Sequence, residues 1–293
     1  MTLLTFRFAP SPNGELHLGH AQSALLNHDM ARRVGGRFLL RIEDIDTSRC
    51  TPEFEAGIYR DLEWLGIEWE TPVRRQSEHF ADYEAALARL IKAGFVYPAF
   101  MTRGQIRGFL AERTIAGDLW PRDPDGAPLY PGLDKKLSER GRLKRIASGE
   151  SFVWRLDVEK ACGALPAEEL SWQEAEDGSW EARRTILAEP RLLGDVVIAR
   201  KEIPTSYFLS VVVDDALQGV SHIVRGRDLY QATAIQRLLQ QHLGLPAPLY
   251  FHHRLIEGPD GRKLSKSNRD SGIRALREAG VTPADVRRMV GLE

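Results

Sequence analysis

The chain has 293 residues, 43% of them hydrophobic, with 40 basic and 41 acidic side chains and a formal net charge of −1. That length supports a sizeable core in one large domain or two modest ones. No run approaches the ~18 apolar residues of a membrane span, the N-terminus lacks the order of a signal peptide, and two distant cysteines, Cys50 and Cys162, exclude a disulfide framework or a four-cysteine metal site. A cytoplasmic protein is expected. A nucleic-acid partner would need a local basic patch, because the chain as a whole is not basic.

Thr5–Phe8 predicts a short strand that enters a turn-rich loop, Pro10-Ser11-Pro12-Asn13-Gly14. A helix is predicted from about Leu16, with Leu18, Ala21, Leu25 and Met30 apolar and Gly35-Gly36 at its end. Phe38-Leu39-Leu40 reads as a buried strand, which makes a βαβ unit with parallel strands. Thr51 and Pro52 suit the N-cap and first position of a second helix, along which Phe54, Ile58 and Leu62 recur every four residues. A third helix is predicted from about Ser77 to Gly94.

From Tyr97 to about Pro190 the character changes. Pro121, Pro124, Pro128 and Pro131, a basic helix near Lys135–Arg145 and a strand over Phe152–Leu156 suggest an inserted subdomain. Val196–Ile198, Leu209–Val213 and His222–Val224 are apolar runs expected as strands of a parallel sheet covered on both faces. A helix over Gln231–His242, a strand over Tyr250–Ile256 and a capped helix start at Thr282-Pro283-Ala284-Asp285 complete the pattern. The expected division is residues 1–96 and 191–256 as two halves of a Rossmann-type α/β catalytic domain, 97–190 as an acceptor-binding insertion, and 257–293 as a loop with a short helical segment.

Chemistry concentrates in two places. In Arg7-Phe8-Ala9-Pro10-Ser11-Pro12-Asn13-Gly14-Glu15-Leu16-His17-Leu18-Gly19-His20, the two histidines share one face at the start of a helix, where backbone N–H groups and the helix dipole favour a polyphosphate. Gly19 leaves room for an adenine ring against the backbone. In Lys263-Leu264-Ser265-Lys266-Ser267, two lysines on a loop can follow departing pyrophosphate. Alone, the first fits two surface histidines and the second a solvated basic loop. Their order, about 245 residues apart at opposite ends of a doubly wound pattern, is far more specific.

These residues resemble the HIGH and KMSKS signatures of class I aminoacyl-tRNA synthetases. Leu40-Arg41-Ile42-Glu43-Asp44-Ile45-Asp46, Tyr207 ahead of Val211-Val212-Val213-Asp214-Asp215, and Val224-Arg225-Gly226 narrow the resemblance to the glutamyl group. The chain stops about 26 residues after the lysine loop, so no anticodon-binding domain is expected, as in the truncated branch that attaches glutamate to queuosine in tRNA(Asp).

The resemblance implies an enzyme that makes glutamyl-AMP from L-glutamate and ATP, with Mg²⁺ carried by ATP, and transfers glutamate to tRNA(Asp) bearing queuosine. It implies catalytic roles for His17, His20, Lys263 and Lys266. Pro10, Gly19 and Ser265 join them around ATP. Arg7, Ala9 and Ser11 line the amino-acid site, Glu43 receives the α-ammonium, Tyr207 packs along the substrate and Arg225 grips the side-chain carboxylate. Outside that context Glu43 and Arg225 also fit a structural ion pair. Relatives of the truncated branch often bind zinc in the insertion through Cys-x-Cys, a tyrosine and a third cysteine. Here Ala99-Phe100-Met101 precedes Thr102-Arg103 and no cysteine follows Tyr130 nearby, so no metal is expected. His252-His253 read as plain strand residues, and Arg74-Arg75, Arg183-Arg184 and Arg287-Arg288 as solvated faces. A monomer without membrane contact is expected. The alternatives are a core that charges the 3′ end of tRNA(Glu), a non-catalytic RNA-binding relative, and a nucleotidyltransferase making a small-molecule adenylate.

Overall fold

A computed structural model describes residues 3–165, 170–178, 180–256 and 272–292. The first strand, β1 (Thr5–Phe8), leads through the proline loop into α1 (Leu18–Arg33), and β2 (Arg37–Ile42) returns parallel to β1. Helix α2 (Pro52–Trp64) starts as its sequence dictates: the Thr51 hydroxyl accepts from the Phe54 N–H and proline fills the first turn. The polar strand β3 (Glu70–Arg75) adds in parallel to β2, and α3 (Phe80–Lys92) follows.

Next come β4 (Val96–Ala99), α4 (Arg103–Ile115), α5 (Glu139–Ala147), β5 (Val153–Leu156), α6 (Val158–Gly163), β6 (Ser171–Ala175), β7 (Arg183–Leu187) and β8 (Val197–Arg200). The chain then runs through α7 (Tyr207–Leu217), β9 (His222–Gly226), α8 (Ala232–Leu243), β10 (Leu249–His253), α9 (Ile273–Glu278) and α10 (Pro283–Met289). Helix α10 carries the expected capping box between Thr282 and Asp285.

The strands form a doubly wound core. β3-β2-β1 is all parallel; β9-β10-β6 is parallel, with β7 antiparallel at its edge. The Ser221 N–H donates to the Thr5 carbonyl at 3.0 Å and the Thr5 N–H to Ser221 Oγ at 2.9 Å, which ties β9 alongside β1. From β1 the chain winds outward one way and from β9 the other, so a topological switch point lies between them. Phe6, Leu25, Leu40, Ile58, Val224 and Ile273 pack in the core around it.

Two apolar runs differ from expectation. Leu209–Val213 is helical, within α7, not a strand; packing on every side buries it, so its apolar run carries no amphipathic period. Val196–Ile198 does lead into a strand, but β8 pairs antiparallel with β5, in a small sheet of order β4-β5-β8. That sheet takes β8 from beyond residue 190, while β6, from before it, belongs to the parallel sheet.

The segment that follows β4 is held by ionic and aromatic contacts. Buried Asp134 accepts from the Phe100 N–H at 3.2 Å and from the Tyr130 hydroxyl at 2.5 Å, and pairs with Arg145 at 3.5 Å. Arg145 stacks 4.1 Å over Phe100, Arg155 3.7 Å over Tyr130, and Trp120 meets Phe109 edge-on. Burial and Asp134 together push the Tyr130 hydroxyl well above its ordinary range. Lys135 and Arg142, expected near phosphates, are engaged internally. Lys135 pairs with Asp157 and Asp195, each at 2.8 Å, and Arg142 donates to the Lys135 carbonyl. Lys136 and Lys144 are exposed. Asp134→Ala is expected to lower the melting temperature by several degrees, since it leaves two buried donors unsatisfied at about 1–3 kcal/mol each. A chelator is expected to leave the wild-type melt unchanged. Thermal melts with and without EDTA check both; a chelator-sensitive wild type or an unmoved variant contradicts this account.

Candidate active site

The two histidines form the N-terminal cap of α1. His17 is the N-cap residue, and its Nδ1 accepts the Gly19 N–H at 3.1 Å. The His17 backbone N–H in turn donates to His20 Nδ1 at 3.1 Å, a capping box built from imidazoles. An Nδ1 that accepts a hydrogen bond carries no proton, so in the neutral ring the N–H sits on Nε2. Both rings therefore carry their donor on the edge away from the backbone. Their centroids lie 3.8 Å apart. Gly19 also has a local reason: a Cβ there would come within 3.1 Å of the His17 ring.

The cap opens onto a cavity of about 450 Å³ at the carboxyl ends of β1 and β9, beside the switch point. Arg7, Ala9, Pro10, Ser11, His17, Gly19, His20, Glu43, Tyr207 and Arg225, drawn from four separate motifs, all line this one cavity. Lys263, Ser265 and Lys266 lie outside the described residues. The correction at α7 matters to the site. Tyr207 and Asp215 sit eight residues apart on one helical face, about 12 Å along the axis at 1.5 Å per residue, where a strand would separate them by ~26 Å.

A buried chain of charges joins Arg7 and Glu43, both of which line this cavity. The Arg7 Nε–H donates to Asp215 at 3.2 Å, the Arg41 Nη1–H donates to the same oxygen at 2.8 Å, and Arg41 Nη2 reaches Glu43 at 3.2 Å. Arg41 is fully buried. Burial alone would raise the Asp215 carboxyl, but Arg7 and Arg41 outweigh it and hold it below the usual range. For Glu43 burial wins, and its carboxyl lies above the usual range despite Arg41 and Arg7. A cation arriving in the cavity would favour its ionised form. Glu43 thus makes a structural ion pair and still faces the site. Beneath this chain Asp214 accepts from Arg74 at 2.7 Å, Gln76 at 2.8 Å and Tyr83 at 2.9 Å. Arg74 is therefore an internal partner and not a solvated face, whereas Arg287 grips Asp29 at 2.7 Å in a half-exposed pair.

Arg225 is 3% exposed and is held by neutral groups: His252 Nε2 at 3.1 Å, Thr233 Oγ1 at 2.8 Å and the Tyr207 hydroxyl at 3.3 Å. Among the described residues no carboxylate lies within ion-pair distance of it, so the structural ion-pair reading does not hold for Arg225. Three of its N–H groups are engaged among those residues, and two of the five that a guanidinium carries remain for a ligand. The cavity can accordingly bind a molecule with an anion at Arg225, a cation at Glu43 and a phosphate at the histidines. Among the described residues no group of three or more His, Cys, Asp or Glu side chains could hold a metal ion, and no helix is long and apolar enough to cross a membrane. The roles of Arg41, Asp215, Thr233 and His252 escape local sequence reading. Arg41 and Asp215 stood inside the quoted motifs without an assigned role, and His252 was read as a plain strand residue, because the pairings Arg41–Asp215 and His252–Glu174 join distant segments.

Residues 3–292 match the family described as tRNA synthetases class I (E and Q), catalytic domain. The Glutamyl-Q tRNA(Asp) synthetase of Rhodobacter capsulatus is 45% identical over 286 residues, 98% of this chain and 99% of that one. The Glutamate–tRNA ligase 2 of Syntrophus aciditrophicus is 37% identical over 285 residues, 94% of this chain and 54% of the longer protein. The crystal structure of glutamate-tRNA synthetase from Elizabethkingia anophelis shares the fold with a TM-score of 0.73 at 26% identity, over 95% of this chain and 54% of that one. The chain spans about half the length of these last two relatives.

Proposed function

The chain belongs to the class I tRNA synthetases of the glutamate and glutamine group, and from that premise we propose that it activates glutamate with ATP and passes the glutamyl group to queuosine in the anticodon loop of tRNA(Asp). It is an ATP-dependent ligase of the aminoacyl-tRNA synthetase kind, similar to enzymes named Glutamyl-Q tRNA(Asp) synthetase. The observation that carries the glutamate reading is that the buried Arg225, the carboxyl of Glu43 and the histidine pair all line one cavity.

Two steps follow from this arrangement. An oxygen of the glutamate α-carboxylate attacks the α-phosphorus of ATP, the bond to the β-phosphate oxygen breaks, and pyrophosphate leaves. A hydroxyl of the RNA then attacks the acyl carbon of glutamyl-AMP, loses its proton and expels AMP. No protein nucleophile is required. The chain contributes position and charge: Arg225 to the γ-carboxylate, Glu43 to the α-ammonium, and the Nε2–H donors of His17 and His20 to the phosphates. Lys263 and Lys266 would follow the pyrophosphate, with Mg²⁺ arriving on ATP.

The acceptor reading rests on similarity along nearly the whole length of the Rhodobacter protein, and on a second cavity of about 250 Å³ that shares Ser11, Glu43 and Tyr207 with the first. Asp46, Arg49 and Arg200 also line it, polar enough for a nucleoside diol. Labelled glutamate is expected to pass to tRNA(Asp) only when queuosine is present, and activation is expected to proceed without tRNA. The assay compares queuosine-containing tRNA(Asp), the same tRNA lacking queuosine, and tRNA(Glu). Charging of the tRNA(Glu) 3′ end, or activation strictly dependent on tRNA(Glu), would replace this reading with that of an ordinary glutamyl enzyme.

A further inference from the structure

Behind Arg225 lies a buried relay from three strands. On β10, His252 is 8% exposed; on β6, Glu174 is 3% exposed. His252 Nε2 lies 3.1 Å from Arg225 Nε and 3.2 Å from Thr233 Oγ1. A guanidinium can only donate, so Nε2 is the acceptor and carries no proton. The other ring nitrogen, Nδ1, lies 2.9 and 3.0 Å from the two Glu174 oxygens. An ionised carboxylate can only accept, so Nδ1 carries the proton. Both neighbours demand the same neutral tautomer.

The surroundings reinforce it. Burial lowers His252 to about 4, far from protonation at neutral pH. Burial also pushes the Glu174 carboxyl up, but hydrogen bonds from the His252 ring, the His252 backbone N–H and the Trp172 indole outweigh this and keep it ionised. The Tyr250 ring lies parallel to His252, within 2°, and 5.4 Å below the Arg225 guanidinium. A ring turned over would face Arg225 and Glu174 with the wrong nitrogens, so the hydrogen bonds on both sides hold one orientation.

We propose that His252, locked by Glu174, is a positioning residue that sets the selection of a side-chain carboxylate over an amide by Arg225. This role rests on Arg225 facing that carboxylate, as proposed for glutamate activation. His252 and Thr233 fill the Nε–Nη2 edge of the guanidinium and Tyr207 takes one Nη1 N–H, so one N–H on each of Nη1 and Nη2 is left for a ligand. The chemistry of the acceptor matters as much as its place. A carboxylate directly on Arg225 would orient it equally well but would cancel its charge and compete with the ligand. A neutral imidazole orients the fork without neutralising it, and its proton faces Glu174, which places the compensating charge one ring further away.

The test is pyrophosphate exchange with glutamate and with glutamine, on His252→Leu and His252→Gln. His252→Leu removes the acceptor, and its KM for glutamate is expected to rise about tenfold or more while KM for ATP stays put. The ratio of glutamate to glutamine activation is expected to narrow by a similar factor. His252→Gln offers a neutral carbonyl near the Nε2 position and is expected to recover most of the loss, which a purely structural role would not predict. A folded His252→Leu whose KM and glutamate preference stay within about twofold of wild type overturns the proposal. If Arg225→Leu alone abolishes the preference while His252→Leu keeps it, only the proposal for His252 falls. If Arg225→Leu also keeps it, the underlying reading of Arg225 falls first. Nitrogen-15 spectra of the wild-type histidines remain decisive even if the variants fail to fold: a neutral, Nδ1-protonated His252 from about pH 6 to 8 is expected, and an imidazolium or an Nε2–H tautomer overturns it.

Discussion

Arg225→Leu is expected to lose glutamate activation by about 10³-fold or more, equivalent to ~4 kcal/mol of transition-state binding, and to lose the preference for glutamate over glutamine. The size follows from what surrounds the guanidinium. It is buried, its partners are a histidine, a threonine and a tyrosine, and no carboxylate among the described residues pairs with it directly. A ligand carboxylate there completes a charge-assisted pair away from water, whereas an amide would turn N–H donors toward N–H donors. Arg225→Lys keeps the charge but loses the planar fork, so an intermediate loss is expected. Exchange assays with both amino acids, alongside thermal melts to control for folding, decide it. Retained preference for glutamate in the leucine variant would mean that the γ-carboxylate is read elsewhere in the cavity.

His20→Ala is expected to lower glutamate-dependent pyrophosphate exchange by about 10²-fold or more, ~2.7 kcal/mol of transition-state stabilisation, and Lys266→Ala by a similar factor. The capping box supplies a control for His20. Its Nδ1 accepts the His17 N–H, so alanine removes a helix cap as well as a donor to phosphate. Glutamine at the same third helical position can take over the capping bond. His20→Gln is therefore expected to melt near wild type and still lose most of its exchange activity. Near wild-type exchange in stable His20 and Lys266 variants would remove both residues from the chemistry.

The sequence by itself determined whatever depends on neighbours in the chain. The strand Thr5–Phe8, the Pro10–Gly14 loop, the helix carrying His17 and His20 and the strand from Arg37 form one local unit, specified by apolar runs, turn residues and a glycine stop. Much of the cavity lining was legible too, from Arg7 to His20 and at Glu43, Tyr207 and Arg225, because these sit in short motifs at the end of a strand or the start of a helix; Gln22, Asp228 and Leu255 were not. The tertiary structure alone decided what lies behind them. Leu209–Val213 reads as a strand until α3 and α8 pack against it, because a run buried on all faces has no period to tell helix from strand. Asp215 meets Arg41 across 174 residues, and Glu174 meets His252 across 78. Charged and polar side chains of this kind are placed in a core only by partners that satisfy them. Those partners come together when separate strands and helices meet at the switch point, so local sequence shows which groups gather at the cavity but not which groups hold them there.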